Sequence, residues 1–243
     1  MADVIDLLEE AVTELKEGKM PSSDLLQGLL TKGLSYGLVL GGAIVKLPQL
    51  IAVVSAGSAD GIAPMAVELE TVATTVQSVY AVGLGLPFSA YGESALLTAQ
   101  NVLLALLVYH FSKLRGRLLL AAAIFAAFLA AWALGHVPAA AVQLMYELNN
   151  LTVIFSRVPQ IYQNYKAGST GQLSGITTGL MTAGGLARIF TTIKEGGGAA
   201  MVRAYAIGAT LNLILLTQIV VLGAGKKRAP RGKQAKRGRP KQL

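Results

Sequence analysis

The chain has 243 residues, a formal net charge of +8 at pH 7, 53% hydrophobic residues and only 14% charged residues. Water-soluble domains average about 25% charged residues, and residues 33–225 hold just 15, so the composition excludes a soluble domain and indicates a membrane protein. The chain has no cysteine, which excludes disulfides and thiol catalysis, and its two histidines, His110 and His136, are too few for a metal cluster.

The N-terminal segment predicts a short amphipathic helix beside the membrane. Its apolar residues recur at helical spacing: Val4, Ile5, Leu8, Val12 and Leu15. The segment starts with acidic residues, whereas a cleaved signal peptide needs positive charge there. We therefore expect it to stay on the mature chain.

Seven apolar stretches follow, each near the roughly 20 residues that a helix needs to cross a bilayer. They cover about 33–54, 62–86, 95–111, 118–135, 139–163, 175–193 and 201–224. Seven crossings put the two termini on opposite sides of the membrane, and positive charge accumulates on the cytosolic side. The predicted cytosolic side holds the C-terminal tail, Lys113, Arg115, Arg117 and Lys166. The predicted opposite side holds the N-terminus, Glu93 and the Lys194–Glu195 pair.

The C-terminal run 226–243 contains nine Lys or Arg and no acidic residue. Such a run can bind nucleic acid. Directly after an apolar helix, however, it is typical of a cytosolic stop signal that also touches anionic lipid headgroups. We favour the second interpretation and expect no nucleic-acid partner. Proline, glycine and charge predict that the tail is disordered.

A sequence repeat relates two parts of the chain. Residues 46–58 read KLPQLIAVVSAGS and residues 157–169 read RVPQIYQNYKAGS, and they align without a gap, so that Pro48 and Pro159 occupy equivalent positions. The copies fall in the first and fifth predicted helices, four crossings apart, so they point the same way. The repeat therefore predicts two parallel three-helix units joined by a linker helix.

Each copy of the repeat combines a proline, a glutamine and a basic residue. Pro48 and Pro159 each remove one helical hydrogen bond, which favours a hinge. Gln49 and Gln160 place an amide beside that opened backbone. Lys46 and Arg157, two residues before each proline, can reach a phosphate or a lipid headgroup: these six residues are a candidate binding site with two hinges.

Ionisable residues inside membrane spans are costly and are functional candidates. Glu70 and Arg188 lie deep in their predicted spans. One hypothesis pairs them across a central cavity, with Lys46 or Arg157 as further partners. The other makes them a structural pair that holds the two bundles together. The sequence shows no nucleophile with a partnered base and no acidic metal cluster, so we expect no enzyme, no metal and no cofactor.

Four stretches, in order between residues 29 and 224, resemble the PQ-loop family. They read LLTKGLSYGLVLGGAIVKLPQL, LPFSAYGESALL, AGSTGQLSGITT and GGLARIFTTIKEGG. The plan of seven helices in two three-helix bundles is shared in outline with SWEET sugar transporters, cystinosin and KDEL receptors. Within the PQ-loop family, the narrower resemblance is to the mannose-P-dolichol utilization defect family. The first repeat departs from the usual motif, with Ala63 where the second repeat has Ser174.

The resemblance implies a multi-pass endoplasmic reticulum membrane protein with a lumenal N-terminus and a cytosolic C-terminus. It implies a role in using dolichyl-phosphate mannose and dolichyl-phosphate glucose for N-glycan precursors, GPI anchors and protein mannosylation, by flipping or presenting the lipid-linked sugar. The implied partners are membrane lipids, dolichyl-phosphate sugars and lumenal dolichol-dependent glycosyltransferases. The candidate residues at family-matching positions are Lys46, Pro48, Gln49, Glu70, Arg157, Gln160 and Arg188.

A small-solute transporter of sugar or amino acid, built on the same bundle, is the alternative, and an adaptor recruited by its basic tail is a third class. The predicted fold class is an all-α membrane protein with seven transmembrane helices. The predicted organisation is a lumenal segment (1–32), a first bundle (33–111), a linker (112–138), a second bundle (139–224) and a disordered cytosolic tail (225–243).

Overall fold

The computed structural model describes residues 2–171 and 173–223, which form nine α-helices and no strand. The helices are α1 (Ala2–Lys16), α2 (Ser23–Val45), α3 (Leu47–Ala56), α4 (Pro64–Gly83), α5 (Phe88–Phe111), α6 (Arg115–Ala133), α7 (Ala139–Ala167), α8 (Gly175–Lys194) and α9 (Ala199–Leu222). The predicted all-α class is confirmed. The tail at 225–243, predicted to be disordered, lies outside the described residues.

Four helical segments of the described chain are long and apolar enough to cross a membrane. They are Ser23–Ala56, which joins α2 and α3, Phe88–Phe111, Arg115–Ala133 and Ala199–Leu222. Helices α4, α7 and α8, with 20, 29 and 20 residues, are also long enough to cross a membrane. Their polar residues lower their mean hydropathy, so they are not among the four apolar segments. The fold is that of a helical membrane protein, and the count of seven spans stays a prediction.

The helix boundaries repeat at the same offset as the sequence. When Pro48 is aligned with Pro159, the end of α3 coincides with the end of α7, and both ends of α4 and α5 coincide with those of α8 and α9. Gly57 and Gly168 end α3 and α7 in the left-handed conformation, with φ of 58° and 61°. We name helices α2–α5 the first unit and helices α7–α9 the second unit, with α6 between them.

The packing of the two units follows the repeat. Within the units, α5 packs against α2 and α4, and α9 packs against α7 and α8. Between the units, α2 packs against α8, and α7 packs against α4, so both contacts join the first helix of one unit to the second helix of the other. The two units are therefore related as the repeat predicts.

Loops of three to seven residues reverse the chain at each end of the bundle. We name the face with α1 and loops 84–87, 134–138 and 195–198 the N-terminal face. The opposite face, with loops 57–63, 112–114 and 168–174, is the C-terminal face, because α9 ends there. These names are independent of which face is cytosolic.

Two helices begin earlier than the sequence predicts. Helix α2 begins at Ser23 rather than near residue 33, because the Ser22 side chain accepts a hydrogen bond from the Leu25 N–H (3.2 Å) and caps the helix. Helix α5 begins at Phe88 rather than near 95. Its first turns carry serine, glycine and Glu93, which lower the local hydropathy. Glu93 therefore lies within α5, and its predicted place in a loop is wrong.

Helix α1 is present as predicted, and its predicted apolar stripe faces away from the bundle. Leu7 contacts Gly28 of α2 and Ala11 is buried, so that edge packs on the first unit. Four of the five residues of the stripe stay 47–56% exposed, namely Ile5, Leu8, Val12 and Leu15, and Val4 is half-buried. An exposed apolar face on a helix with acidic residues suits the membrane interface.

Candidate functional site

The first PQ motif lies at a helix break that a side chain bridges. The helical path is interrupted at Lys46, between α2 and α3, and Pro48 opens α3. The buried Gln100 of α5 accepts a hydrogen bond from the Lys46 N–H (3.0 Å) and donates one to the Gly42 carbonyl (2.8 Å). In a regular helix these two backbone groups would bond each other. Gln100 therefore replaces the missing helical bond and ties the break to α5.

The second PQ motif lies within an unbroken helix. Helix α7 continues through Pro159, whose missing N–H leaves the Phe155 carbonyl without its helical donor. A glutamine of the third helix again reaches the motif: Gln218 of α9 donates to the Ile161 carbonyl (2.9 Å) and accepts from Asn164 (3.0 Å). The two motifs thus differ in geometry, and flexibility at either proline stays a prediction.

Replacing Gln100 with leucine, the residue that the second unit carries at position 211, is expected to destabilise the fold by about 1–3 kcal/mol. The change would leave the Lys46 N–H and the Gly42 carbonyl unpartnered. Thermal unfolding of the purified chain in nanodiscs measures the effect, with the exposed Gln143→Leu in α7 as the control. Equal stability of the two variants would contradict the bridging role.

The basic residues of the two motifs have different partners. Lys46 forms an ion pair with Glu70 of α4. At the equivalent position of the second unit, the Arg157 Nη2 atom instead contacts the sulfur of Met181 at 3.4 Å. In the alignment of the two units, Met181 stands where the first unit has Glu70. Among residues 2–171 and 173–223, Arg157 makes no ion pair, so its charge is not neutralised by a carboxylate.

The two candidate glutamines are half-buried. Neither the Gln49 nor the Gln160 side chain makes a hydrogen bond within the described part of the chain, and each lies three residues after its basic partner. The two motifs thus contain one neutralised cation, Lys46, one cation without a carboxylate in the described residues, Arg157, and two available amides. No three His, Asp or Glu side chains of the described residues come together to hold a metal ion.

Arg188 pairs with a residue that the sequence placed elsewhere. It is 5% exposed, and its Nε donates to Glu93 of α5 at 3.0 Å. Its Nη1 also donates to the Ala90 carbonyl at 3.4 Å. Both hypotheses for Arg188 pair it with Glu70, and that partner is wrong, because Glu70 pairs with Lys46 instead. The pair that Arg188 forms with Glu93 does join the two units, which is the structural role that the second hypothesis gave to its pair. Gly42 of α2 leaves the space that this pair fills, because an added Cβ would lie 2.7 Å from the Glu93 Cγ.

A second polar contact between the two units is made by the residue that the repeat aligns with Arg188. Gln77 of α4, which aligns with Arg188 in the repeat, donates to the Tyr205 hydroxyl of α9 at 2.9 Å. Each unit therefore extends a polar side chain from its second helix to the third helix of the other. The two contacts lie at matching depth near the N-terminal face.

Further contacts join the units at the N-terminal face. Glu195, at the end of α8, accepts hydrogen bonds from Ser89 of α5 (2.5 Å) and Lys32 of α2 (3.4 Å). Lys194 donates to Gln27 at 2.5 Å. An apolar cluster reinforces this face with residues from both units: Val76, Val79, Tyr80, Ala81, Val142, Tyr146, Ala200 and Met201.

The interface between the units has fewer contacts toward the C-terminal face. Asn149 of α7 donates to the Ala73 carbonyl at mid-depth (3.3 Å). Beyond that level, no side-chain hydrogen bond in the described ranges joins the first unit to the second. The apolar cluster at this face, around Leu104 and Val108, belongs to the first unit alone. The structure is therefore closed at the N-terminal face and less tightly joined at the C-terminal face.

Two asparagines near the middle of the third helices are also candidates. Asn101 of α5 and Asn212 of α9 occupy equivalent positions of the two units. The Oδ1 atom of each is buried and accepts no hydrogen bond from the described residues. Buried acceptors without a donor are uncommon and costly. The two PQ motifs alone do not indicate this pair, which emerges when the repeat is aligned through the third helices.

Comparison with known proteins matches the repeat to a family. The PQ-loop repeat is matched at residues 30–90 and 148–197, which contain the two PQ motifs. The chain is 28% identical over 171 residues to human (Homo sapiens) solute carrier family 66 member 3, covering 70% of this chain and 83% of that protein. No solved structure matches the chain. The chain is therefore a helical membrane protein that is similar to the PQ-loop repeat family at both of its repeats, and to a member of solute carrier family 66 over most of its length.

Proposed function

We propose that the chain handles an anionic lipid-linked sugar, of the dolichyl-phosphate mannose and glucose class, and flips it or presents it at the endoplasmic reticulum membrane. The observation that carries the proposal is the asymmetry of the two motifs. Lys46 is neutralised by Glu70, whereas within the described part of the chain Arg157 has a methionine sulfur and no carboxylate at the matching place. A guanidinium without a carboxylate partner suits a phosphate.

The geometry of the two units supports movement of the ligand. Transporters built from repeats expose a site near the midplane alternately to each side of the membrane. Here the N-terminal face is joined by Lys32, Ser89, Arg188 and their partners, while the C-terminal face has fewer contacts between units. In the proposed orientation the C-terminal face is cytosolic, where Lys113, Arg115 and Lys166 satisfy the positive-inside rule.

The proposed partners are lumenal glycosyltransferases that use the presented donor. The chain itself acts as a carrier and not as the transferase. The resemblance of the LARIF and GQLS stretches supports this narrower role.

The lipid-linked oligosaccharide profile of cells that lack the protein tests the proposal. We expect truncated precursors to accumulate although dolichyl-phosphate mannose is made normally, and re-expression to restore the full-length precursor. This result would place the protein between donor synthesis and donor use. A normal profile would reject the proposed function.

Small-solute transport is the second candidate. The unpartnered, buried oxygens of Asn101 and Asn212 favour it, because such acceptors suit sugar hydroxyls or an amino group. The name of the human relative points the same way. Uptake of sugars and amino acids into proteoliposomes, compared for the natural chain and Asn101→Leu, tests it. No uptake of either solute class by the natural chain would reject it.

Cross-linking separates flipping from presentation. The natural chain has no cysteine, so cysteines can be placed at Gln27 and Lys194, whose side chains meet at 2.5 Å. A short bis-methanethiosulfonate joins them across the units through two reducible disulfides, releasing methanesulfinate, without background reaction. If the units move as alternating access requires, the cross-link is expected to abolish transbilayer movement of dolichyl-phosphate mannose in proteoliposomes, and its reduction to restore it. The control joins Glu147 to Arg203, whose exposed side chains meet at 2.9 Å within the second unit. Movement that persists in the cross-linked pair between units would contradict alternating access, whereas no protein-dependent movement before cross-linking would leave presentation as the role.

A further inference from the structure

The linker helix α6 leaves an apolar cleft between itself and the first unit. None of its residues is buried. The cleft has a volume of about 480 Å³, which is in the size range of small-ligand sites. Helices α4 and α5 form one wall, α6 forms the other with Leu118, Ala121, Ala122, Ile124, Phe125 and Phe128, and Met145 of α7 completes the lining.

The cleft wall presents hydrocarbon along most of its length. Its two threonines, Thr71 and Thr75, donate their hydroxyls to the carbonyls one turn earlier in α4, at 2.7 and 2.6 Å. These hydroxyls therefore need no polar partner from within the cleft. An occupant that fits this wall is an apolar chain, since a polar one would lose its hydrogen bonds with water and gain none.

The polar end of the cleft lies at the C-terminal face. Glu68 accepts two hydrogen bonds from Arg117, both 2.7 Å, and a third from Tyr109. Lys113 and Arg115 precede Arg117 at the start of α6 and make no ion pair with the described residues. These three exposed cations do not line the cleft, but they lie within five residues of Leu118, which does. Three cations beside one carboxylate leave this end of the cleft positively charged, which complements a phosphate.

We propose that this cleft binds one anionic glycerophospholipid, with an acyl chain between α6 and the first unit and its phosphate beside Lys113 and Arg115. Basic pockets between transmembrane helices favour anionic headgroups. An acyl chain would give both walls dispersion contacts that they lack across an open gap. The lipid fills the space between α6 and the first unit and so fixes α6 in its position. The site is separate from Arg157, so it does not depend on the proposed function.

Native mass spectrometry of the full chain, purified in mild detergent, tests the site. We expect about one retained phosphatidylserine or phosphatidylinositol per chain when the protein is expressed in membranes that contain them. Ala122→Phe fills the cleft and is expected to remove the retained lipid. Ala123→Phe, the neighbouring residue of α6 outside the cleft, is the control and should keep it.

The charged end is tested separately, because the added phenylalanine can also disturb folding. The double variant Lys113→Gln with Arg115→Gln is expected to weaken retention of anionic lipid by about tenfold or more. Lys166→Gln, exposed on the same face, is the control and should retain it. Retention of phosphatidylcholine in place of anionic lipid, or equal retention in all variants, would overturn the proposal.

Added dolichyl phosphate provides a third arm of the experiment. In this proposal it does not displace the bound phospholipid from the natural chain. Displacement at stoichiometric amounts would overturn the assignment to a glycerophospholipid and make the cleft part of the path of the lipid-linked sugar. If the natural chain formed a dimer and Ala122→Phe abolished it, a second copy of the chain rather than a lipid would occupy the cleft. That result would overturn the proposal as well.

Discussion

Replacing Arg188 with alanine is expected to destabilise the folded chain by about 3 kcal/mol. The substitution leaves the Glu93 carboxylate without its donor in the interface between the units and removes the additional hydrogen bond to the Ala90 carbonyl. Breaking a buried ion pair costs about 3–5 kcal/mol. We expect the lower end because 34% of the Glu93 side chain stays exposed. Chemical unfolding of the purified chain in nanodiscs measures the loss.

Removing both charges separates a structural pair from a functional cation. Arg188→Ala combined with Glu93→Ala is expected to be more stable than Arg188→Ala alone, because no unpaired carboxylate remains. The exposed Arg203→Ala breaks a surface pair with Glu147 and is the control, with an expected loss of at most about 1 kcal/mol. If Arg188→Ala kept full stability but lost function, Arg188 would return to the list of phosphate ligands.

The pattern of the sequence predicted the helical class and the repeat because both depend on local composition. Apolar stretches define helices wherever they are long, and a motif shared at a constant offset requires no knowledge of packing. In the structure the same offset relates the ends of helices α3, α4 and α5 to those of α7, α8 and α9. The start of α5 was missed for a physical reason: its first turns are small and polar, and they pack against other helices rather than lipid.

The partners of the polar residues could not be predicted in the same way. Arg188 was expected near Glu70, but the contact between α8 and α5 brings it to Glu93 instead. The bridge of Gln100 across the break at Lys46 likewise depends on how α5 packs against α2. Such contacts join residues 54 to 95 positions apart, and a single sequence carries no direct signal for them.

Replacing Arg157 with glutamine is expected to reduce function by about 10- to 100-fold while the protein stays folded. A charge-assisted hydrogen bond to a phosphate contributes about 1.5–3 kcal/mol, and Arg157 loses no carboxylate partner when it is changed. Rescue of the lipid-linked oligosaccharide profile, compared at equal protein level, measures function. Binding of dolichyl-phosphate mannose to the purified chain measures the contact directly.

The neighbouring methionine offers a matched test that leaves Arg157 in place. Met181→Glu gives the second unit the carboxylate that Glu70 gives the first, at the place where the Arg157 Nη2 atom now lies 3.4 Å from sulfur. We expect the new carboxylate to neutralise Arg157 and to lower function nearly as far as Arg157→Gln. Met181→Gln adds polarity without charge and is the control, with function largely kept. Equal function of the two Met181 variants would show that the free charge of Arg157 is not what binds the ligand, and the phosphate site would then have to lie elsewhere.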